Sequence, residues 1–90
     1  MARAIRMDKK DNVATVLMDV EPGDDVDIEG GGDSLRIEAA EAVPFGHKIA
    51  LAPIPSSRKI LKYGETIGIA TRAIKAGTHV HVHNLKSSRR

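Results

Sequence analysis

The sequence contains no cysteine and no tryptophan, and its aromatic rings are limited to Phe45, Tyr63 and the four histidines. Without cysteine the chain cannot use disulfides, thiolate metal ligands or a cysteine nucleophile, and this composition suits a reducing compartment. A core with so few rings has to be built from Val, Ile, Leu, Ala and Met. We therefore expect a cytoplasmic protein with an aliphatic core.

Long apolar runs are also missing. The apolar segments are much shorter than the roughly 20 residues of a membrane-spanning helix, and the N-terminal "MARAIRMDKKDN" lacks the apolar core of a signal peptide. The net charge of +2 comes from 14 basic and 12 acidic residues. A nucleic-acid-binding protein typically shows a basic face interleaved with aromatics. We expect neither a membrane nor a nucleic acid as partner.

The chain of 90 residues is long enough for one small domain but not for a deep, enclosed active site. Basic residues are frequent at both ends, where chains are usually solvated and mobile. These features predict a basic tail over residues 1–10, a folded domain over 11–85 and a second basic tail over 86–90.

Short segments of β-branched or alternating character, separated by Gly, Pro and Asp, dominate the chain. No segment keeps a 3.6-residue apolar period for the length of a confident helix. We predict a mostly β fold with short strands, tight turns and little helix. The predicted strands are 12–20, 25–29, 34–40, 47–54, 66–74 and 79–85, with 30–33 as a hairpin connection.

A weak repeat links two of these segments. "VEPGDDVDI" (20–28) and "IKAGTHVHV" (74–82) share an apolar residue, a glycine three positions later and an alternating strand. The glycine lies where the chain has to turn, which predicts a positive φ there. Residues 54–60 fit in part, with Ser57 in place of the glycine. The repeat indicates a pseudo-symmetric β fold.

Three of the four histidines occur at alternate positions in "GTHVHVHNL" (77–85). On a strand, His79, His81 and His83 would share one face, and Val80 and Val82 would face the core. Neighbouring histidines would then be about 6.6 Å apart and the outer pair about 13 Å apart. Two could share a metal ion, whereas a complete zinc or iron site would need ligands from elsewhere. A structural role, anion or substrate binding, and metal ligation all remain open.

Two other groups of residues could carry chemistry. His47 and Lys48 begin a predicted strand in "PFGHKIAL", where the pair could bind a carboxylate or phosphate or could simply be a surface pair beside a turn. Lys62 and Tyr63 in "KYGE" offer a cation and the only phenol, although a lone Tyr is more often a packing ring. No nucleophile, base and orienting group occur together, so the sequence does not indicate a complete catalytic machine.

Four segments together carry a family resemblance: "DNVATVLMDVEPGD", "PFGHKIALAPI", "ILKYGETIGIAT" and "IKAGTHVHVHNL". They resemble, in order, the pattern DNVA, GHK-x-AL, KYG-x-x-IG-x-AT and VH-x-HN of the small N-terminal module of altronate and galactarate dehydratases. The match runs from about Asp11 to Leu85. The resemblance implies an SAF-type domain with a β-clip fold.

The resemblance also implies a function. It points to the small subunit of a two-component hydro-lyase, similar to altronate dehydratase, that eliminates water from a sugar acid and is inactive without its large catalytic subunit. A divalent metal, commonly iron, would be present in the complex. Two alternatives remain: the small subunit of a sulfolactate sulfo-lyase, and a stand-alone module that binds sugar acids or other small anions. A homo-oligomer also remains open.

Residue by residue, the family motif falls on a set of polar side chains. Elimination next to a carboxylate builds negative charge that cationic groups stabilise, and a histidine can protonate the leaving hydroxyl near neutral pH. The resemblance therefore implies catalytic roles for His81 and His83, which are also the metal ligands considered, and makes His79 a bystander. Ser57 departs from the family glycine, and we expect the 53–59 loop to follow a different path. The substrate-binding residues implied are His47, Lys48, Lys62, Tyr63 and Asn84.

Overall fold

The computed structural model describes residues 2–87, which form nine short strands and no helix. The prediction of a mostly β fold is confirmed. Nothing in this range is a helix with the length and hydropathy to span a bilayer. The strands are β1 Ala2–Ile5, β2 Val13–Val16, β3 Asp25–Glu29, β4 Leu35–Glu38, β5 Lys48–Ala50, β6 Lys59–Lys62, β7 Glu65–Ala70, β8 His79–Val80 and β9 Leu85–Ser87.

The strands form two sheets over a shared aliphatic interior. The larger sheet has the order β4-β3-β1-β2-β5-β8, and the smaller has the order β6-β7-β9. Strand β1 lies parallel to β3 and antiparallel to β2. Val13, Ala50 and Val80 of the larger sheet pack with Ile60 and Ala70 of the smaller one. These residues form a core cluster that joins the two sheets beneath the β5–β8 edge.

One turn unit occurs four times, which extends the repeat predicted from the sequence. Each unit consists of a bridging apolar residue, a tight turn and a strand. The bridging residues pair with each other, Val20 with Val43 and Ile54 with Ile74. In every unit the N–H of the fifth residue donates to the carbonyl of the second, as in His47 to Pro44 at 3.0 Å. The four units thus form two pseudo-symmetric pairs.

Each unit places its fourth residue in the left-handed region, at φ values of 88° for Gly23, 83° for Gly46, 72° for Ser57 and 83° for Gly77. The expectation of a different path for the 53–59 loop is therefore wrong. The Ser57 N–H donates to the Ala70 carbonyl at 2.8 Å, as the Gly77 N–H donates to the Ala50 carbonyl at 2.8 Å. A serine can occupy this conformation at a cost of about 1–2 kcal/mol, so the turn persists without glycine.

The predicted tails are also wrong where the structure describes them. Ala2 and Ala4 are buried in β1, a central strand, while Arg3 faces outward and pairs with Glu29. The sequence did not indicate this strand, because its buried positions are small alanines rather than large apolar residues and basic residues occur between and after them. The 86–90 segment likewise begins inside β9, which pairs with β7. Met1 and residues 88–90 lie outside the described residues.

Gly77 and Gly46 make a matched pair for a stability test, because both have a φ of +83°. A Cβ at Gly77 would lie 2.3 Å from the Glu38 carbonyl oxygen, whereas a Cβ at Gly46 would meet nothing within 4 Å. We expect Gly46→Ala to lower the free energy of unfolding by about 1–2 kcal/mol, the cost of the left-handed conformation. Gly77→Ala should lose about 1–3 kcal/mol more through overpacking. Urea denaturation followed by circular dichroism measures both, and equal losses would contradict the close approach.

Candidate functional site

The four histidines of the chain lie together on one surface, the histidine cluster: His47, His79, His81 and His83. The ring centroids of His47 and His81 are 4.4 Å apart, and those of His47 and His79 are 5.0 Å apart. His79 lies 5.5 Å from His81 and 5.2 Å from His83. The Nδ1 atom of His47 is 2.9 Å from Nε2 of His79. Residues far apart in sequence therefore form one contiguous group of imidazoles.

Strand pairing explains this convergence. Strands β5 and β8 are antiparallel neighbours, with Lys48 opposite Val80 and Ile49 opposite His79. His47 comes one residue before β5 and His81 one residue after β8, so the same register sets these two histidines opposite each other. Cross-strand neighbours of this kind have side chains about 4.5–5.5 Å apart.

The predicted strand over 79–85 is wrong for residues 81–84. Residues 81–84 form a turn, closed by a hydrogen bond from the Asn84 N–H to the His81 carbonyl at 3.0 Å. Val80 is buried, but Val82 is 79% exposed rather than facing the core. Turning at this point lets His83 fold back to within 5.2 Å of the His79 ring, whereas a straight strand would place these two residues about 13 Å apart.

The Asn84 side chain holds that turn from within. It is 5% exposed; its Oδ1 accepts a hydrogen bond from the His81 N–H at 3.0 Å, and its Nδ2 donates to the His79 carbonyl at 2.9 Å. Both ends of the amide are thus engaged by the backbone. Asn84 positions His79 and His81, and the substrate contact implied by the resemblance stays a prediction.

His79 lies at the centre of the cluster, since its ring contacts those of His47, His81 and His83. The sequence-based interpretation of His79 as a bystander did not anticipate this central position, and the functional role of His79 stays a prediction. That interpretation treated the C-terminal segment alone, where His79 is simply the first of three alternating residues. The contribution of His47 from another strand could not be read from that spacing.

Two lysines extend the histidine cluster into what we call the basic face: Lys48, Lys62 and the four histidines. Lys48 is half-buried, and burial followed by the nearby charge of Lys62 lowers its pKa. The Lys62 ammonium lies 5.1 Å from the centroid of the Tyr63 ring, a cation–π distance. The structure thus brings together the predicted residues His47, Lys48, Lys62, Tyr63, His81 and His83.

The protonation of two histidines is shifted toward the neutral form. Burial is the main cause that lowers the pKa of His79, and the other three imidazoles lower it further, against an opposing effect of Glu41. Burial also lowers the pKa of His81, together with His47, Lys48 and His83. Neutral imidazoles can accept a proton or bind a metal ion. The interior of the basic face is therefore less charged near pH 7 than its composition implies.

Asp11 and Asn12, to which the sequence analysis assigned no role, hold the hairpin that carries Lys62 and Tyr63. Tyr63 and Gly64 have φ values of 58° and 74°, the two positive values of a type I′ hairpin turn between β6 and β7. The buried Asp11 carboxylate accepts from the N–H groups of Tyr63 at 2.9 Å and Gly64 at 2.8 Å.

Asn12 extends this support along the hairpin. Its Oδ1 accepts from the Leu61 N–H at 2.8 Å, and its Nδ2 donates to the Lys59 carbonyl at 3.0 Å. The side chains of the "DN" motif thus bind the backbone of the hairpin that contains the "KYG" motif. The available signal was that adjacent Asp and Asn side chains commonly bind backbone groups.

The basic-face side chains are half-buried or exposed at the protein surface. A concavity of about 790 Å³ exists elsewhere, at the β3–β4 hairpin, and Asp27, Glu29 and Asp33 are among its lining residues. No basic-face residue lines it. The chemistry-bearing residues and this concavity do not coincide, so a small ligand on the basic face would stay exposed unless another surface covered it.

The donor set of the cluster fits a divalent transition metal. His47, His79 and His81 each offer one ring nitrogen, and these nitrogens all lie within 4.8 Å of one another. Imidazole suits zinc, iron, nickel and copper rather than magnesium or calcium. Of the pair His81 and His83 considered from the sequence, this converging group includes His81.

Comparison with known proteins agrees with the motifs. The family model described as altronate/galactarate dehydratase SAF domain matches residues 2–88. The chain is 39% identical over 88 residues to altronate dehydratase of Bacillus subtilis, which covers 98% of this chain and 17% of that protein. It is 38% identical over 84 residues to altronate dehydratase of Escherichia coli, covering 93% of this chain and 16% of that protein. The chain therefore spans about a sixth of the length of these two relatives.

A second kind of relative is shorter. The chain is 34% identical over 62 residues to the (2R)-sulfolactate sulfo-lyase subunit alpha of Paracoccus pantotrophus, which covers 69% of this chain and 92% of that subunit. Components of both hydro-lyases and a sulfo-lyase are thus similar to this chain.

The lowered pKa values of His79 and His81 predict an acid-sensitive fold. Below about pH 6.5, the ordinary value for histidine, the unfolded chain binds protons more readily than the folded one. Stability is therefore complete above that pH and decreases as the pH falls through the folded-state values. Urea denaturation of the chelator-treated chain between pH 7.5 and 5.0 measures this decrease. His79→Gln should reduce it and Lys75→Met should not; a profile identical in His79→Gln and wild type would contradict the assignment.

Loss of the Asp11 carboxylate should weaken the hairpin that carries Lys62. We expect Asp11→Ala to lower the free energy of unfolding by about 2–4 kcal/mol, because the part-buried N–H groups of Asp8, Tyr63 and Gly64 lose a charged acceptor. The exposed Asp33 provides a control, and Asp33→Ala should stay within about 0.5 kcal/mol of wild type. Amide hydrogen exchange gives the local readout: the Tyr63 and Gly64 amides should exchange faster in Asp11→Ala alone. Unchanged protection of these two amides would contradict the role of Asp11.

Proposed function

The chain belongs to the altronate/galactarate dehydratase SAF-domain family, and from this premise we propose that it serves as the small subunit of a two-component hydro-lyase. In this proposal the complex eliminates water from a sugar acid. The small subunit supplies substrate-binding and proton-donating side chains to an active site completed by a larger catalytic subunit. It is not active alone.

The observation that carries the proposal is the basic face, where six basic side chains from three separate segments meet. A sugar acid is an anion, and the neighbouring Lys48 and Lys62 ammonium groups would bind its carboxylate through charge-assisted hydrogen bonds. Removal of the proton next to that carboxylate builds further negative charge, which the same cations stabilise. The face is thus complementary to a substrate that becomes more negative during reaction.

The histidine cluster provides the proton for the leaving hydroxyl in the same elimination. As the C3 hydroxyl leaves with its bonding electrons, it takes up a proton, and an imidazolium at His83 can donate it, because the lowered pKa of His81 favours the neutral form of that ring. The remaining enol becomes a 2-keto-3-deoxy acid. The base that removes the C2 proton would come from the larger subunit, where the proposal also places the rest of the catalytic apparatus.

The need for a partner is supported by the openness of the face. Desolvation strengthens electrostatic interactions at an active site, and the exposed His83 and the half-buried Lys48 and Lys62 have no covering element among residues 2–87. Relatives also point this way: the altronate dehydratases are far longer proteins, and the shorter relative is named as a subunit.

A second candidate function is the small subunit of a sulfo-lyase. The specific observation in its favour is that the match covers 92% of the Paracoccus sulfo-lyase subunit alpha. Sulfolactate carries a carboxylate and a sulfonate, and two lysines on one face could bind one anionic group each. The leaving group would then be sulfite, which departs with the C–S bonding electrons and needs no protonation by histidine.

Capture of the partner tests both candidates. The affinity-tagged chain is used to purify its complex from cells of its own source, and the complex is assayed with altronate, galactarate and sulfolactate. Formation of a 2-keto-3-deoxy acid supports the hydro-lyase, and release of sulfite supports the sulfo-lyase. We expect turnover from the complex and none from the chain alone. Tight sugar-acid binding by the chain, with no partner captured, would instead favour a stand-alone binding module.

Variants of the captured complex test the basic face itself. Removing a general acid typically costs about 10²–10⁴-fold in rate, so we expect His83→Ala to lose at least about 100-fold in kcat/KM. Lys48→Met should also lower kcat/KM, because a substrate-binding cation is removed. Lys75→Met removes an exposed lysine outside the basic face and should retain activity. If His81→Ala and His83→Ala complexes both keep full turnover, the assigned role of the histidines is wrong.

A further inference from the structure

The histidine cluster contains a group of three rings whose nitrogen atoms converge. The available ring nitrogens of His47, His79 and His81 lie within 4.8 Å of one another. A tetrahedral ion with metal–nitrogen bonds of about 2.1 Å holds its ligands about 3.4 Å apart. Small side-chain rotations would close the difference. From this arrangement we infer that His47, His79 and His81 of this chain alone bind one divalent transition-metal ion of the zinc, iron, cobalt or nickel class.

The backbone holds the three ligands in place before any metal binds. The His47 N–H donates to the Pro44 carbonyl at 3.0 Å, and the His47 carbonyl accepts from the Val16 N–H at 2.9 Å. The His79 N–H donates to the Glu41 carboxylate at 2.8 Å, and Asn84 bonds the backbone of both His79 and His81. Little conformational entropy then remains to be lost on binding, which favours affinity.

The contact between His47 and His79 is itself a sign of converging lone pairs. Their nitrogens Nδ1 and Nε2 are 2.9 Å apart, so one ring has to donate a proton to the other in the metal-free protein. A metal ion can replace that proton, because it accepts lone pairs from both rings at once. Burial of His79 also favours the neutral imidazole that a metal requires.

Three protein ligands leave at least one coordination position open. Structural zinc sites are closed by four protein ligands, whereas sites with three protein ligands leave a position for water or substrate. An ion here would lie beside Lys48, and it could bind the carboxylate or hydroxyl oxygens of a hydroxy acid and act as a Lewis acid. The metal site shares a surface with the proposed function but does not depend on the reaction or on a partner.

His83 provides the matched control within the cluster. Its ring lies 5.2 Å from that of His79, yet it is not part of the group whose nitrogens converge. A purely electrostatic or non-specific attraction of metal ions to histidines would depend on all four rings. At a specific site, the metal affinity depends on His47, His79 and His81 and does not change when His83 is replaced.

The test is a metal titration of the tag-free chain after treatment with chelator, at pH 7.5. Cobalt(II) is followed by its visible absorption and zinc(II) by calorimetry. We expect one ion per chain, cobalt bands of the intensity typical of low coordination number, and a rise in thermal midpoint with metal. His79→Ala and His81→Ala should weaken zinc binding by at least about 100-fold, since each removes a direct ligand, while the loss of a residue that only orients a ligand costs about 10–100-fold. His83→Ala should stay within about 3-fold.

Three results would overturn the site: no zinc binding at micromolar concentrations, more than one ion of similar affinity, or an equal loss in His83→Ala and His79→Ala. Circular dichroism of each variant checks its fold, and His47→Gln provides a further ligand variant if an alanine variant does not fold. The outcome is separable from the proposed function. If the captured complex turns over but this chain binds no metal, the proposed function stands and the metal site is wrong. If this chain binds the metal but the complex does not turn over, the metal site stands and the proposed function is wrong.

Discussion

The antiparallel pairing of β5 with β8 is the interaction on which the site depends. It spans only the pairs Lys48–Val80 and Ile49–His79, yet it joins segments 32 residues apart in sequence. So short a ladder is stabilised by what surrounds it. Val80 is fully buried with Ala50 and Ile60, and the Ala50 N–H and carbonyl bond to Thr78 and Gly77. The core cluster between the two sheets thus holds the edge that presents the histidines.

The basic face carries an electrostatic cost that the rest of the fold has to offset. Burial lowers the pKa of Lys48 and of His81, and the like charges of Lys62 beside Lys48 and of Lys48 beside His81 lower these pKa values further. Natural proteins retain such conflicts mainly at functional sites. An anion or a covering surface of opposite charge would relieve the repulsion, which is the physical link between this geometry and a role in binding acidic substrates.

The motifs of the chain divide into those that act chemically and those that hold them. Asp11 and Asn12 bind the backbone of the β6–β7 hairpin, and Asn84 binds the backbone of the turn after β8. Asp11 and Asn84 are buried, and the hydrogen bonds of all three side chains go to backbone groups, so a polar motif residue can serve the fold rather than contact a ligand. Lys62 and His81 are placed by these supports and reach the surface themselves.

The sequence by itself determined the all-β character, the left-handed turns at glycine and the identity of most basic-face residues, because these follow from local alternation, turn chemistry and motif order. It did not reveal β1, whose inward residues are small alanines, or the path at Ser57, where tertiary hydrogen bonds outweigh a local preference for glycine. Only the tertiary structure decided the grouping of the histidines. Period-two spacing describes one isolated strand, whereas His47 reaches His79 and His81 through a pairing of distant segments and a turn that Asn84 closes.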